Sequence, residues 1–300
     1  MRAISDNMRG AGLMAAGMIT FTINDAFTKA VSDALPLWQV IFLRGIGVTI
    51  CLAVMARLMR QLRFNIPRRD WALILIRGLA EFGGAYFFLT ALFHMPIANV
   101  SAILQSLPLT VSLAGALFLG ETLGWRRLTA IVVGFAGVML IVRPGGEDFN
   151  IYSVYALAAV ACVTLRDLSV RRMSRDVPSM MISLVAAAVV TSGAGVASLW
   201  IDWAPVEGKA AMQLGGATLC LIFGYIFSVA AMRVGEIGFV APFRYTSLLT
   251  ALILGALVFG EFPKPITLLG AGIVVATGVF TLLRESRLRL KRRAVPDRIR

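Results

Sequence analysis

The sequence predicts an all-α integral membrane protein with ten transmembrane helices, arranged as two inverted five-helix repeats. Three observations predict this fold class. Hydrophobic residues make up 58% of the 300 residues and charged residues 15%, whereas about 25% of a soluble domain is charged. Apolar runs of about 20 residues, the length that crosses the hydrocarbon of a bilayer, recur along the chain. Motifs of the first half return in the second half, where the equivalent loops carry a different charge.

The ten predicted spans are separated by residues that favour turns. Proline or glycine stands at most of the breaks, as at Pro36, Pro67 and Pro178. The spans are predicted at 10–31, 36–56, 71–93, 97–119, 124–142, 151–170, 178–200, 210–232, 238–259 and 265–283. They use nearly the whole sequence, so neither a soluble catalytic domain nor a cleavable signal peptide is expected.

The repeat is indicated by pairs of similar residues at a nearly constant separation. Glu121 and Glu261 each follow a glycine that ends a span, and they are 140 residues apart. Lys29 and Arg171 near the ends of the first and sixth spans are 142 residues apart. These matches predict four segments, namely a cytoplasmic N-terminus at 1–9, a first repeat at 10–143, a second repeat at 151–284 and a basic cytoplasmic tail at 285–300.

Loop charge predicts that the two repeats are inverted. Each repeat has five spans, and because five is odd the second repeat enters the membrane from the opposite side. Basic residues collect in cytoplasmic loops, and here all loop Lys and Arg residues fall on the side of the N-terminus except Lys29, Arg143, Lys209 and Lys264. Both termini are therefore predicted to be cytoplasmic, in a bacterial inner membrane, and the basic face is expected to contact anionic lipids.

Inverted repeats favour a transport function over the other classes. Two halves in opposite orientation allow one conformation open to each side, with the solute near the midplane between them. The sequence has no GxxxxGK[ST] phosphate loop, so direct ATP coupling is not expected. A membrane enzyme would need clustered catalytic side chains, and the chain has one histidine, so enzyme activity is not predicted. The net charge of +13 is spread over loops, so nucleic-acid binding is not predicted either.

Two sequence stretches carry a resemblance to a known family. Ala91-Leu92-Phe93 and the run 97–102 lead to Leu119-Gly120-Glu121, and the second half echoes them from Ala231 to Gly260-Glu261. Over residues 10–284 the chain resembles the ten-helix EamA-type members of the drug/metabolite transporter superfamily. The resemblance implies alternating access without a cofactor, for a small organic solute. Members of this family export amino acids and other metabolites or import compounds such as riboflavin and S-adenosylmethionine.

Within that family, two stretches look most like the riboflavin-uptake branch. They are Asn24-Asp25 with Lys29, and the run 99–105. Riboflavin uptake is thus the substrate expected from the resemblance, and export of amino acids or related metabolites is the alternative. The oligomeric state cannot be derived from this sequence.

Charged residues inside the predicted spans are the first site candidates. A charge at the bilayer centre costs at least about 2.5–3.5 kcal/mol, so each should have a partner or face water. Arg77 and Glu81 have i,i+4 spacing and can pair on one helix face, either structurally or around a solute or proton. Asp25 and Lys29 repeat that spacing, and an interfacial pair between them is expected. Arg44 has no carboxylate within a helical turn and needs one from another helix.

Two further charged positions lie in the second half. Arg244, beside Tyr245 and two residues after Pro242, stands where the first half has no charge. A charge without a counterpart at a proline-broken segment is a good candidate for solute binding. Arg166 and Asp167 are adjacent and about 100° apart around a helix, so each is expected to need its own partner.

Neutral polar and aromatic residues complete the candidate site. Tyrosine rings have flat faces that can stack on a planar ring, although packing and lipid contact are the alternatives. The candidates for solute binding are Asn24, Arg44, Glu81, Tyr86, Asn99, Gln105, Tyr225, Arg244 and Tyr245. Asp25 and Glu81 are the candidates for proton coupling, although facilitated diffusion would need neither.

Overall fold

The described part of the chain is built from α-helices. The computed structural model describes residues 2–62, 65–121, 123–145, 149–174, 176–234 and 236–294. Its helices are α1 (Arg2–Ala30), α2 (Leu37–Leu58), α3 (Arg68–His94), α4 (Ile97–Leu104), α5 (Leu107–Leu119), α6 (Trp125–Val142), α7 (Tyr152–Arg172), α8 (Ser179–Ala197), α9 (Gly208–Val234), α10 (Ile237–Val240), α11 (Thr246–Phe259) and α12 (Pro265–Ala294). Short 3-10 helices cover Ser198–Trp200 and Ala241–Tyr245.

These helices make ten crossings, as the hydropathy predicts. Helices α4 and α5 together form the fourth crossing, and α10, the 3-10 helix Ala241–Tyr245 and α11 together form the ninth. Nine crossings in the described ranges are long and apolar enough to span a bilayer by length and composition. The tenth is α1, which is 29 residues long and carries several charged and amide side chains.

The fourth and ninth crossings lie at the predicted spans 97–119 and 238–259, and each is built from more than one helical segment. The first break lies at Gln105 and Ser106, before Pro108 near the start of α5. Pro242 lies within the 3-10 segment of the ninth crossing. Proline lacks an N–H donor and its ring clashes with the carbonyl one turn earlier, so a regular α-helix cannot continue through it.

The packing of the helices repeats between the two halves. The most extensive contacts are those of α1 with α9 and of α3 with α7. Because α1 and α3 of the first half are equivalent to α7 and α9 of the second, each of these pairs is the counterpart of the other. The pairs α2 with α8 and α6 with α12 each contain equivalent helices of the two halves. This pattern is that of a pseudo-two-fold relation, and five crossings in each half make the repeats inverted.

Two hydrogen bonds join the two halves close to this pseudo-two-fold axis. The hydroxyls of Thr49 and Thr191 are 3.0 Å apart, and Gln105 Nε2 donates to Ser247 Oγ at 2.7 Å. Thr49 and Thr191 are 142 residues apart, the offset that relates Lys29 to Arg171, so they are equivalent positions. Gln105 and Ser247 lie where the offset is 140, as for Glu121 and Glu261, so their contact joins positions two residues out of register.

Helices α6 and α12 approach closely at two glycines. A Cβ atom on Gly270 would lie 2.6 Å from the carbonyl oxygen of Gly137, and one on Gly137 would lie 2.9 Å from that of Gly270. Small residues allow such backbone contact between membrane helices, where dispersion and backbone packing replace the hydrophobic effect.

Candidate functional site

Charged side chains from both halves converge inside the bundle. Each is densely surrounded by protein atoms and yet keeps part of its surface accessible, and we call the accessible space beside these side chains the cavity. They come from α1, α2, α3, α7, α9 and the broken ninth crossing, and they are Asp25, Arg44, Arg77, Glu81, Arg166, Asp167, Tyr225 and Arg244. We call this set the central polar cluster.

The first part of the cluster joins α1 to α2. Arg44 Nη1 donates to the hydroxyl of Thr28 at 2.8 Å, and its strongest electrostatic partner is the Asp25 carboxylate. Asn24 is buried and its Nδ2 donates to Asp25 Oδ1 at 2.9 Å. The partner of Arg44 therefore comes from the neighbouring helix α1, because α2 has no carboxylate within a helical turn of Arg44.

The second part of the cluster joins α3 to α7. Arg166 Nη1 lies 3.3 Å from Glu81 Oε1, and Arg77 Nη2 lies 4.0 Å from Glu81 Oε2 in the expected i,i+4 pair. Arg166 Nε also donates to Asp167 Oδ1 at 2.9 Å. The expectation of separate partners for Arg166 and Asp167 is therefore wrong, because the long Arg166 side chain bends back to its neighbour while it also reaches Glu81.

Tyr225 of α9 lies between the two parts of the cluster. Its hydroxyl interacts electrostatically with Glu81, Arg166 and Arg77 on one side and with Arg44 on the other. Its ring packs edge-on against Phe21 at 5.4 Å between centroids, and 39% of the residue is exposed. Tyr225 thus faces the cavity at the point where the charges of the two halves meet.

Arg244 differs from the other arginines of the cluster. Among the described residues its guanidinium donates no hydrogen bond, and its strongest favourable electrostatic interaction is with Asp167. The residue is exposed although protein surrounds it, so its donors face the cavity. Arg244 therefore has a positive charge and free donors to offer to a solute.

Other polar atoms around the cavity also have unused hydrogen-bonding capacity. Four are buried and find no partner among the described residues, namely Asn24 Oδ1, Arg44 Nε, Arg77 Nε and Glu81 Oε2. The predicted site residue Asn99 on α4 also has a buried Oδ1 without such a partner, but no described contact joins it to the cluster. Buried polar groups are normally hydrogen-bonded, and exceptions tend to mark functional positions. These atoms are available to a polar solute.

The central polar cluster carries an excess of positive charge. It contains four arginines and three carboxylates, since Arg44, Arg77, Arg166 and Arg244 face Asp25, Glu81 and Asp167. An anionic group on a solute would balance the remaining positive charge at this depth.

The structure separates some predicted site residues from the cluster. Tyr245 is 7% exposed and its hydroxyl packs against Gly278 of α12. Gln105 bonds across the pseudo-two-fold axis to Ser247. Tyr86 belongs to an aromatic cluster described below. Asn24, Arg44, Glu81, Tyr225 and Arg244 are the predicted residues that the structure brings together, with Asp25 beside Arg44.

The aromatic cluster lies between α2, α3 and α7. The rings of Trp38 and Tyr86 stack at 5.0 Å and 7°, and Trp38 also stacks on Phe82 at 5.7 Å. Tyr155 of α7 lies 6.3 Å from Tyr86 and 5.7 Å from Phe87 between centroids. All five rings are partly exposed, so they offer aromatic surface near the cavity.

From the sequence, Arg77, Arg166 and Asp167 were considered as charged positions but were not chosen as candidates for solute binding. Trp38 was not considered. The signal for the charged ones was present, because each lies inside an apolar span where a charge is costly. Trp38 carried no such signal, since aromatic residues are common in any membrane helix and only its neighbours distinguish it.

Replacing Glu81 by glutamine is expected to destabilise the protein. The variant removes the carboxylate that the partly buried Arg77 and Arg166 share, and this lowers the free energy of unfolding by about 1–3 kcal/mol. A thermal melt in detergent should show a lower midpoint than the parent. Glu236→Gln, at an exposed position before α10, is the matched control and should melt like the parent. An unchanged midpoint for Glu81→Gln would contradict the pairing described above.

The architecture and the site can be compared with known proteins. The sequence pattern of the EamA-like transporter family matches residues 8–143 and 150–283, which is most of the chain. The chain belongs to this family. It is therefore a multi-pass membrane transporter and not an enzyme, with the two-repeat fold that the helix packing shows.

Relatives in this family differ in their solutes. An S-adenosylmethionine uptake transporter of Rickettsia conorii is 27% identical over 95% of this chain and 96% of its own. The pseudopaline exporter CntI of Pseudomonas aeruginosa is 27% identical over 93% of this chain and 97% of its own. A riboflavin transporter of Vibrio cholerae is 28% identical over 75% of this chain and 76% of its own.

A solved crystal structure also shares the fold. It superposes with a TM-score of 0.62 over 94% of this chain and 98% of its own, at 20% identity. Similarity at this identity shows the fold alone, so the solute has to be argued from the central polar cluster of this EamA-like transporter.

Proposed function

We propose that this chain is a secondary transporter for a small organic metabolite that carries a carboxylate, with an amino-acid-derived zwitterion as the best candidate. One observation carries the proposal. Arg244 is exposed beside the carboxylates of the central polar cluster, and its guanidinium donors make no hydrogen bond among the described residues. A carboxylate matches the planar fork of a guanidinium and would pair with Arg244.

The carboxylates of the cluster support a zwitterion rather than a simple anion. Glu81 Oε2 has no hydrogen-bond partner among the described residues, and Asp25 lies on α1 beside Arg44. Either can pair with an ammonium or sulfonium group. S-adenosylmethionine contains a carboxylate, an ammonium, a sulfonium and a purine ring, so it is the first compound to test.

Riboflavin uptake is the second candidate, and the aromatic cluster favours it. The stacked rings of Trp38 and Tyr86 suit a planar heteroaromatic ring. Riboflavin has no anionic group at neutral pH, so it offers no carboxylate to the Arg244 guanidinium. For this reason we place it after the carboxylate-bearing solute.

The transport mechanism we propose is alternating access in a bacterial cytoplasmic membrane, with both termini cytoplasmic. Inverted repeats and broken fourth and ninth crossings support it, because discontinuous helices meet at the midplane site of many secondary transporters. If transport is coupled to protons, Asp25 and Glu81 are the carboxylates at the cavity that would take part. An imposed proton gradient would then change the initial rate.

The test is solute uptake by purified protein in liposomes. Labelled S-adenosylmethionine, a mixture of labelled amino acids and labelled riboflavin are supplied separately, with protein-free liposomes as the blank. The proposal expects saturable uptake of S-adenosylmethionine or an amino acid. Saturable uptake of riboflavin alone would reject the carboxylate-bearing solute in favour of the second candidate. Efflux is tested by placing the same labelled compounds inside the liposomes instead of in the outer buffer.

A further inference from the structure

Two ion pairs join the halves of the molecule at opposite faces of the membrane. Lys29 Nζ at the end of α1 lies 2.6 Å from Glu261 Oε1 in the turn between α11 and α12. Arg171 Nη1 at the end of α7 lies 2.8 Å from Glu121 Oε1 in the turn between α5 and α6. Each pair joins the first crossing of one half to the turn after the fourth crossing of the other half. The chain order places the first pair on the predicted outer face and the second on the predicted cytoplasmic face.

The two pairs are equivalents under the pseudo-two-fold relation. The basic residues are separated by the 142-residue offset and the glutamates by the 140-residue offset. Their surroundings match as well. A Cβ on Gly255 would lie 3.8 Å from Glu261 Oε2, and one on Gly115 would lie 2.8 Å from Glu121 Oε2. In both halves the glutamate thus folds back over a glycine of the preceding helix.

The turns that present the glutamates are alike too. Gly120 and Gly260 have φ values of 67° and 65°, in the left-handed region where glycine is favoured. Glu261 makes two further connections on its face, because its Oε2 accepts the backbone N–H of Ile97 at 3.0 Å and its partner Lys29 also donates to the carbonyl of Met95. The outer pair therefore ties α1, the start of α4 and the α11–α12 turn together.

The two ion pairs differ in how exposed their side chains are. The side chains of Lys29 and Glu261 are 11% and 20% exposed, whereas those of Arg171 and Glu121 are 32% and 39% exposed. Matching residues in matching contacts are therefore more deeply buried on the outer face than on the cytoplasmic face, in a single conformation.

We propose that these two ion pairs are alternating gates, one closing each face of the transporter. The inference rests on the alternating access proposed above. Both pairs are formed in this conformation, and the outer pair is the more deeply buried. An exchange of the two environments under the pseudo-two-fold relation gives a conformation in which the cytoplasmic pair is the more deeply buried. The pairs have to separate in turn during each cycle.

A gate and a static contact respond differently when they are broken. Two partly buried opposite charges hold their helices together, and removing one charge favours any state in which that face is open. Breaking the outer pair should therefore populate an outward-open state, and breaking the cytoplasmic pair should populate an inward-open state. A static contact would loosen the protein without a preference for one face.

The first experiment measures this preference with a native thiol and needs no solute. Cys162 lies one helical turn before Arg166 on α7 and is partly exposed, and Cys51→Ser and Cys220→Ser leave it as the single cysteine. A membrane-impermeant maleimide is applied to either face of oriented vesicles. Glu261→Gln should raise labelling from the outside by about threefold or more, and Glu121→Gln should raise it from the cytoplasmic side by a similar factor. Equal or unchanged labelling from the two faces in both variants would overturn the proposal.

The second experiment locks each gate reversibly. The side chains meet end to end, so paired cysteines at these positions need a reducible linker longer than a disulfide. Linking Lys29→Cys to Glu261→Cys, or Arg171→Cys to Glu121→Cys, should reduce transport at least about tenfold, and reduction of the linker should restore it. The single-cysteine variants treated with the same reagent are the controls. Full transport in a linked protein would show that the contact never opens and would overturn the proposal.

The two experiments separate the gates from the proposed solute. If none of the tested compounds is transported, the thiol labelling still reports the opening of each face. If a solute is transported but labelling lacks the opposite preferences, the gate proposal fails and the function stands.

Discussion

Replacing Arg244 by glutamine is expected to reduce the kcat/KM for a carboxylate-bearing solute by about 10–100-fold. A charge-assisted hydrogen bond contributes about 1.5–3 kcal/mol, and each 1.4 kcal/mol is a factor of ten. Within the described chain the Arg244 guanidinium makes no hydrogen bond that would be lost, so the fold should tolerate the change. Initial rates over a range of solute concentration in liposomes measure the effect.

Matched variants distinguish binding from folding in this experiment. Arg244→Lys keeps the charge and loses the planar fork, so it should retain part of the activity. Arg126→Gln removes an exposed arginine that stacks on Trp125, away from the cavity, and should transport like the parent. If Arg244→Gln keeps the parental kcat/KM for a transported carboxylate, Arg244 does not bind that group.

Replacing Gly270 by valine is expected to cost at least about 1–3 kcal/mol of stability, the usual cost of overpacking. The new Cβ would lie 2.6 Å from the carbonyl oxygen of Gly137, which belongs to the backbone of α6. A backbone carbonyl cannot rotate away like the end of a side chain, so α6 and α12 would have to separate. The yield of monodisperse protein and the melting midpoint in detergent should both fall.

Gly272 on the same helix provides the control. A Cβ at this position meets no described atom within 4 Å, so Gly272→Val should melt like the parent. This comparison keeps the helix and the substituted residue type constant and changes only the contact with α6. Equal midpoints for the two variants would show that the close approach of Gly137 and Gly270 does not limit stability.

Much of the fold could be predicted because lipid imposes a simple constraint. A helix has to cross about 30 Å of hydrocarbon with its backbone hydrogen bonds satisfied, so hydropathy reports the crossings directly. Pro242 indicated the break in the ninth crossing, whereas the break in the fourth was harder to predict. Pro108 lies inside a mainly apolar run, and hydropathy does not register a residue that is apolar but cannot continue a helix.

The site was predicted less completely, because electrostatic partners depend on helices that are far apart in sequence. The spacing of Asp25 and Lys29 suggested a local pair, but Lys29 pairs with Glu261, which is 232 residues away. The spacing of Arg77 and Glu81 predicted a real pair, although Arg166 of α7 lies closer to Glu81. Spacing alone thus identified neighbours on a helix but could not rank them against residues of other helices.

The ten crossings were determined by the sequence alone, through span length. The same sequence carries the repeat that the helix packing then shows between its two halves. Tertiary structure decided which residues of those halves meet. It placed Lys29 against Glu261 and Arg171 against Glu121, and it left Arg244 facing the cavity without a hydrogen-bond partner in the described chain. The physical reason is that burial in lipid is a property of each segment, whereas the energy of a charge inside the bundle depends on which other helices surround it.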